Sequence, residues 1–208
     1  GNYCGLWVNV GGLMSTLELK ELSHPSGEVI KIASGKTLDL KTQGSVTMPT
    51  GSVLQVVSTT KTDTWTYNGS TAFQDVTGLA ASITPISTSS KILIQVNINV
   101  SSNRRYAATR VLRGSTQVGG GTASGSRPSV SMSTGSNQDE PTQGYVSRNG
   151  STSFLDSPNT TSATTYKVQV GNTESASAIM YVNRGPEDGN YVWAHRGSST
   201  ITLTEIQG

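Results

Sequence analysis

A period of eight residues constrains this chain more than any other feature of it. Ile30-Lys-Ile32, Leu38-Asp-Leu40, Val46-Thr-Met48 and Leu54-Gln-Val56 each hold two apolar side chains two residues apart, and their first residues stand eight apart. Alternation over three residues puts both side chains on one face of a short extended segment. The connectors 33–36, 41–44 and 49–52 all contain Gly, and the last also Pro, as tight reversals require. A weaker copy begins at Leu22, with His24-Pro-Ser-Gly27 in place of the second apolar residue and turn.

Units this short cannot stand alone. Two buried side chains do not offset an ordering cost of roughly 1–2 kcal/mol per residue. Stacked on themselves, so few coils make a poor solenoid, whereas three chains wound together cover every apolar face. The period therefore predicts an intertwined trimeric stem built on Ile30, Ile32, Leu38, Leu40, Val46 and Met48. An ordinary β-meander has strands at similar spacing and is the alternative.

Around this repeat the chain divides into an arm over 1–21, the octad stem over 22–51 and a head over 52–208. Met14-Ser-Thr resembles a start of translation, so 1–13 reads as an upstream extension, a tag remnant or an anchoring arm. Ser and Thr exceed a quarter of the 208 residues, with 23 Gly, 33% hydrophobic and 13% charged residues. That composition is β-rich, and a formal net charge of only +2 without a basic run points away from nucleic acid. Cys4 is the sole cysteine, which excludes an intrachain disulfide and a multi-Cys metal site. No apolar run reaches the length of a membrane span, so no membrane insertion is expected.

The head reads as strands throughout. In Lys91–Val100, Ile92, Ile94, Val96, Ile98 and Val100 alternate with mostly polar residues, the period of a half-buried antiparallel strand. Thr109–Arg113 is the expected partner strand, and Asn68-Gly69 between Trp65, Tyr67 and Phe73 is the best hairpin signal. Gly114–Ser153 lacks a period and reads as a long surface loop. Strand signals resume at Thr165–Val170, Ala178–Asn183 and Thr200–Ile206. The expected fold class is all-β, a repetitive stem followed by an antiparallel, jelly-roll-like β-sandwich.

Several phrases carry a family resemblance. GSVLQVVSTTKTDTW, FQDVTGLAASITPISTSSKILIQVNI, RVLRGST, FLDSPNTTSATTYKVQV, YVNR, SSTITLTEIQ and the opening LELKELSHPSG resemble tail-fibre or virion-appendage proteins of marine and cyanobacterial bacteriophages. The resemblance runs from Met14 to Gly208 and leaves out Gly1–Leu13. It implies a virion structural protein with a trimeric stem and a β-sandwich head.

Chemistry of the catalytic kind has no constellation to rest on. His24 and His195 lack flanking carboxylates or metal-ligand spacing, and no nucleophile elbow occurs. Gly119-Gly120-Gly121 fits no phosphate-binding pattern and reads as a flexible loop. Asp139-Glu140 and Glu187-Asp188 fall in loops, where a Ca²⁺ site or a glycosidase pair would have to be built without supporting partners. Neither enzyme activity nor a cofactor nor a metal site is expected; a small polysaccharide depolymerase is the weakest of the readings.

Binding has more to support it. Trp65, Tyr67, Tyr145, Tyr191 and Trp193 are candidates for stacking on sugar, against the plain alternative that aromatic residues of a β domain belong to its core. Arg104 and Arg105, with Arg110 and Arg113 further on, form the densest basic cluster, facing an anionic glycan or acids at a trimer interface. The expectation is a homotrimeric appendage at the virion surface, joined to other virion proteins by its N-terminal arm and meeting a host cell-surface glycan or protein with its head. The rival expectation is a capsid decoration protein that stabilises the shell.

Overall fold

The computed structural model describes residues 34–35, 48–68, 71–104, 106–135, 147–173 and 175–208. The chain divides into two units, Gly1–Thr47 and Met48–Gly208. Of the first only the turn at Ser34-Gly35 is described, so Ile30, Ile32, Leu38, Leu40 and Val46 lie outside the described residues. Met48, the last of the stem candidates, is 39% exposed.

The second unit is a two-sheet antiparallel sandwich, and the described residues contain no helix. Its strands are β1 (Val53–Lys61), β2 (Trp65–Asn68), β3 (Gln74–Ile83), β4 (Lys91–Ser102), β5 (Tyr106–Arg113), β6 (Thr116–Val118), β7 (Met132–Gly135), β8 (Arg148–Asp156), β9 (Thr164–Gly171), β10 (Ile179–Val182) and β11 (Ser199–Ile206). In the first sheet β4 is flanked by β8 on one edge. Its other edge is shared between β11, along residues 91–97, and β10, along 100–102. Strands β1 and β2 then line β11 and β10. In the second sheet the order is β3, β9, β5, with β6 and β7 sharing the free edge of β5.

The core follows from the alternation in β4. Ile92, Ile94, Val96, Ile98 and Val100 are at most 2% exposed and meet Tyr166, Val168 and Val170 of β9 and Leu79 and Ile83 of β3. β-branched side chains suit such a pleated, two-layer interior, and each contributes about 1.5–3 kcal/mol by burial. Ile201 and Leu203 of β11 extend the same layer. Leu54-Gln-Val56, the fourth octad, lies in β1 and so belongs to the sandwich.

Three expectations are corrected. Asn68-Gly69 does not make a hairpin: β2 pairs with β10 in the first sheet, while β3 pairs with β9 in the second. The chain changes layers there, because Trp65 and Tyr67 reach the core from one sheet and Val76 and Leu79 from the other. Thr109–Arg113 does not pair with Lys91–Val100; β5 lies in the opposite sheet, against β9. Finally, Gly114–Ser153 is not one loop. It contains β6, β7 and the start of β8, which runs beside β4 from Ile92↔Asp156 to Val100↔Arg148.

A buried polar joint marks the place where two strands break. β1 gives way to β2, and β10 to β11, around Asn183, which is fully buried with φ at 64°. Its Nδ2 donates to the carbonyls of Lys61 and Asp63, both at 2.9 Å, and its Oδ1 accepts from Ser199 Oγ at 2.6 Å. Ser199 Oγ in turn accepts the Asn99 N–H at 3.0 Å. The polar groups left by the interrupted ladders are thereby satisfied, as burial demands.

Candidate attachment loop

Residues 184–198 leave the first sheet at this joint and return to it at Ser199. The loop packs over the outward side of β4 and β10: Ser101 Oγ donates to the Arg184 carbonyl at 2.7 Å, and the Arg184 guanidinium lies 4.7 Å from the Tyr181 ring centre. That cover buries Tyr181, whose phenol is pushed above its ordinary value by desolvation, a shift opposed by the nearby Arg184 charge. Arg184 also donates to the carbonyls of Gly185 and Pro186, at 3.0 and 2.7 Å. Asp188 receives a two-pronged contact from Arg196 at 3.1 and 2.7 Å, with Arg184 3.5 Å away. Fork geometry of this kind fixes orientation as well as charge.

On this braced base stands an aromatic tip. Tyr191 and Trp193 stack face to face, with ring centres 5.0 Å apart and planes 2° from parallel. Both are 52% exposed, and Val192 between them is 88% exposed. Gly189 has no side chain because the Tyr191 ring occupies that space. The Ala194 N–H donates to the Tyr191 carbonyl at 3.1 Å and closes the turn that brings the two rings together. The result is an exposed apolar platform on an ion-paired loop, the kind of surface that anchors binding partners.

The other candidates fall elsewhere. Trp65 and Tyr67 stack at 6.0 Å on β2 and pack against the core, so they serve the sandwich interior. Tyr145 and Arg105 lie outside the described residues, as do Asp139 and Glu140. Arg104 is half-buried at the β4–β5 turn and donates to Ser177 Oγ at 2.7 Å. Arg110 donates to Gln169 at 2.7 Å with its guanidinium 4.3 Å above the Phe73 ring. Arg113 pairs with Asp156 of the same chain at 2.7 Å. The three described residues, Arg104 on the turn and Arg110 and Arg113 in β5, are thus spread along the chain rather than gathered on one patch, since nine extended steps span about 30 Å.

The acids and the glycines also acquire definite roles. Asp188 is held by two arginines, and Glu187 is exposed. His195 is exposed on the same loop. Among the described residues no group of three or more His, Cys, Asp or Glu side chains converges as a metal site would. Gly119-Gly120-Gly121 is not simply a flexible loop. Gly119, with φ at 62°, lies against the Phe154 ring, where any Cβ would clash, and the Gly121 N–H donates to the Val130 carbonyl at 3.1 Å.

Sequence reasoning singled out Tyr191 and Trp193 but not the frame beneath them. The spacing Arg184, Asp188, Arg196 around Gly185-Pro186 was the available signal, since charges of opposite sign flanking a turn can brace it. No protein-family model and no characterised protein matches the chain.

Proposed function

We propose that this chain is a bacteriophage virion structural protein, a trimeric tail fibre or similar appendage whose head attaches the particle to the host surface. The observation that carries the reading is the exposed Tyr191-Val192-Trp193 tip on its arginine-braced loop. Two further features support it. The octad period needs neighbouring chains to cover its apolar faces, and the phrase-level resemblance runs from Met14 to the last residue. The head also has the strand order of a jelly roll. If β1/β2, β6/β7 and β10/β11 are each counted as one interrupted strand, eight strands remain, ordered 1-8-3-6 in one sheet and 2-7-4-5 in the other. Jelly rolls are recurrent in viral capsid and lectin domains.

A second reading, capsid decoration, draws on a different surface. Register places Leu155, Leu93, Thr204 and Val56 in one row across the first sheet, with Val53 and Ile206 beside it. Leu155, Val56 and Val53 are 59%, 58% and 56% exposed. Such a row suits a protein partner, a neighbouring protomer in the fibre or the shell itself in the decoration reading. Incubating the full chain with host cells and with empty capsids separates the two. The fibre reading expects retention on cells, weakened by Trp193→Ala or Val192→Asp; retention on capsids alone overturns it in favour of decoration.

A further inference from the structure

The outward face of the first sheet carries a second feature, away from the aromatic tip. Strands β8, β4 and β11 lie side by side, and their register sets Ser153, Gln95 and Thr202 in one row and Ser151, Asn97 and Thr200 in the next. These six residues line a cleft of about 460 Å³, within the roughly 300–1,000 Å³ usual for small-ligand sites. Neighbouring rows are about 6.7 Å apart and neighbouring strands about 4.8 Å, so the floor is a regular grid of hydroxyl and amide groups.

Five of the six side chains are uncommitted. Thr202 shares a hydrogen bond with Ser58 at 2.9 Å. Among the described residues, the side chains of Gln95, Asn97, Ser151, Ser153 and Thr200 make none. No charged side chain lines the cleft, and an ionic ligand would lose its hydration there without a counter-charge. A protein partner would want an apolar centre; the floor itself offers none, and the aliphatic row of Leu155, Leu93 and Val56 lies one step along the same face, outside the cleft. Next along the same face Gly197 packs on the Asn99 side chain, so the base of the 184–198 loop stands at the border of the grid. Donors and acceptors of both kinds, neutral and spaced over a concave floor, match the hydroxyls of a sugar chain.

The geometry points to a carbohydrate-binding cleft on the outer face of the first sheet that takes a neutral polysaccharide. It deepens the attachment reading and rests on it for its biological meaning, but not for its chemistry. The neutral preference separates it from the anionic-glycan expectation attached to the arginines, of which Arg104 lies on the β4–β5 turn and Arg110 and Arg113 lie in the other sheet.

Affinity electrophoresis of the full chain tests this, in gels cast with dextran, laminarin or galactomannan as neutral polysaccharides and alginate as the anionic one. The expected result is retardation by at least one neutral polymer and not by alginate. Ser153→Trp, which fills the cleft from an exposed position, should weaken that retardation by about tenfold or more. The paired variant Gln95→Ala/Asn97→Ala should do the same should the Trp variant misfold. Retardation by alginate alone, by no neutral polymer, or equally in both variants overturns the proposal. So does a change of oligomeric mass in Ser153→Trp, which would show a second copy on this face. Adhesion to host cells distinguishes the two levels. If wild type adheres and the cleft variants adhere equally, the cleft fails and attachment stands. If wild type binds a neutral polymer but no cell, attachment fails and the cleft stands.

Discussion

At Asn183 one buried amide ties the β1–β2 connection to the first residue of β11. Its contacts to Lys61, Asp63 and Ser199 are worth about 1 kcal/mol each, and its left-handed φ of 64° is one that Asn tolerates better than most residues. Asn183→Ala should therefore cost about 3–4 kcal/mol in urea unfolding. Asn183→Gly should cost about 1 kcal/mol less, since it loses the same bonds but not the backbone conformation.

Two ionisable residues should make the stability depend on pH. Burial, and then the hydrogen bond to Asp156, raise the phenol of Tyr166 well above its ordinary value of 10.0. A raised acid is held neutral in the folded state, so its contribution is full below about pH 10 and is lost as pH climbs toward the folded value. Tyr166→Phe should flatten the alkaline limb of a stability–pH curve. Asp75 behaves in the opposite sense. Burial would raise its carboxyl, but hydrogen bonds from Lys167 and Gln169 and the charges of Lys167 and Arg110 together hold it below 3.8. Its contribution is present above that value and fades as pH falls through the lower folded one. Because half of the side chain is exposed, Asp75→Asn should cost less than about 1 kcal/mol at pH 7, a difference that closes in strong acid.

Among the elements, the residue that follows β6 meets β8 at the Phe154 ring, which lies where a side chain at Gly119 would be. Gly119→Ala should destabilise by about 1–3 kcal/mol through overpacking and strain, and by less in a Phe154→Ala background, as a double-mutant cycle would measure. The same strand explains what the sequence hid. In β4 the inward positions from Ile92 to Val100 are all Ile or Val, so the strand was legible from its period alone. In β8 the inward positions are Gly150, Thr152, Phe154 and Asp156, with one large apolar residue among them, and no period survives. Pairing partners were less legible still. β5 follows β4 in sequence yet joins the other sheet, and β2 and β3 flank a strong turn signal without pairing. A turn dipeptide reports local backbone preference, whereas layer choice depends on which face each strand buries, a property of the whole sandwich. Of the candidate residues, Tyr191 and Trp193 were legible as aromatic residues in a turn-rich stretch. The ion pairs that present them depend on the folded loop, and the polar cleft depends on strand neighbours more than 50 residues apart.

For the molecule as a whole, two exposed apolar surfaces of the head lie toward opposite ends of the first sheet. The aliphatic row of Leu155, Leu93 and Val56 lies near the end of the sheet where Gly51 and Ser52 bond to Gln207, and the aromatic tip springs from the strand breaks at Asn183. That polarity suits a chain tethered at one end and presenting the other. Light scattering of the full chain should give three times the mass of one chain, and a stable monomer would remove the intertwined stem. The most direct measurement is gold labelling of intact phage particles with antibody raised against residues 48–208. Label at the outer ends of tail fibres is the result expected. Label spread over the capsid shell, or none on the particle, would contradict the attachment role.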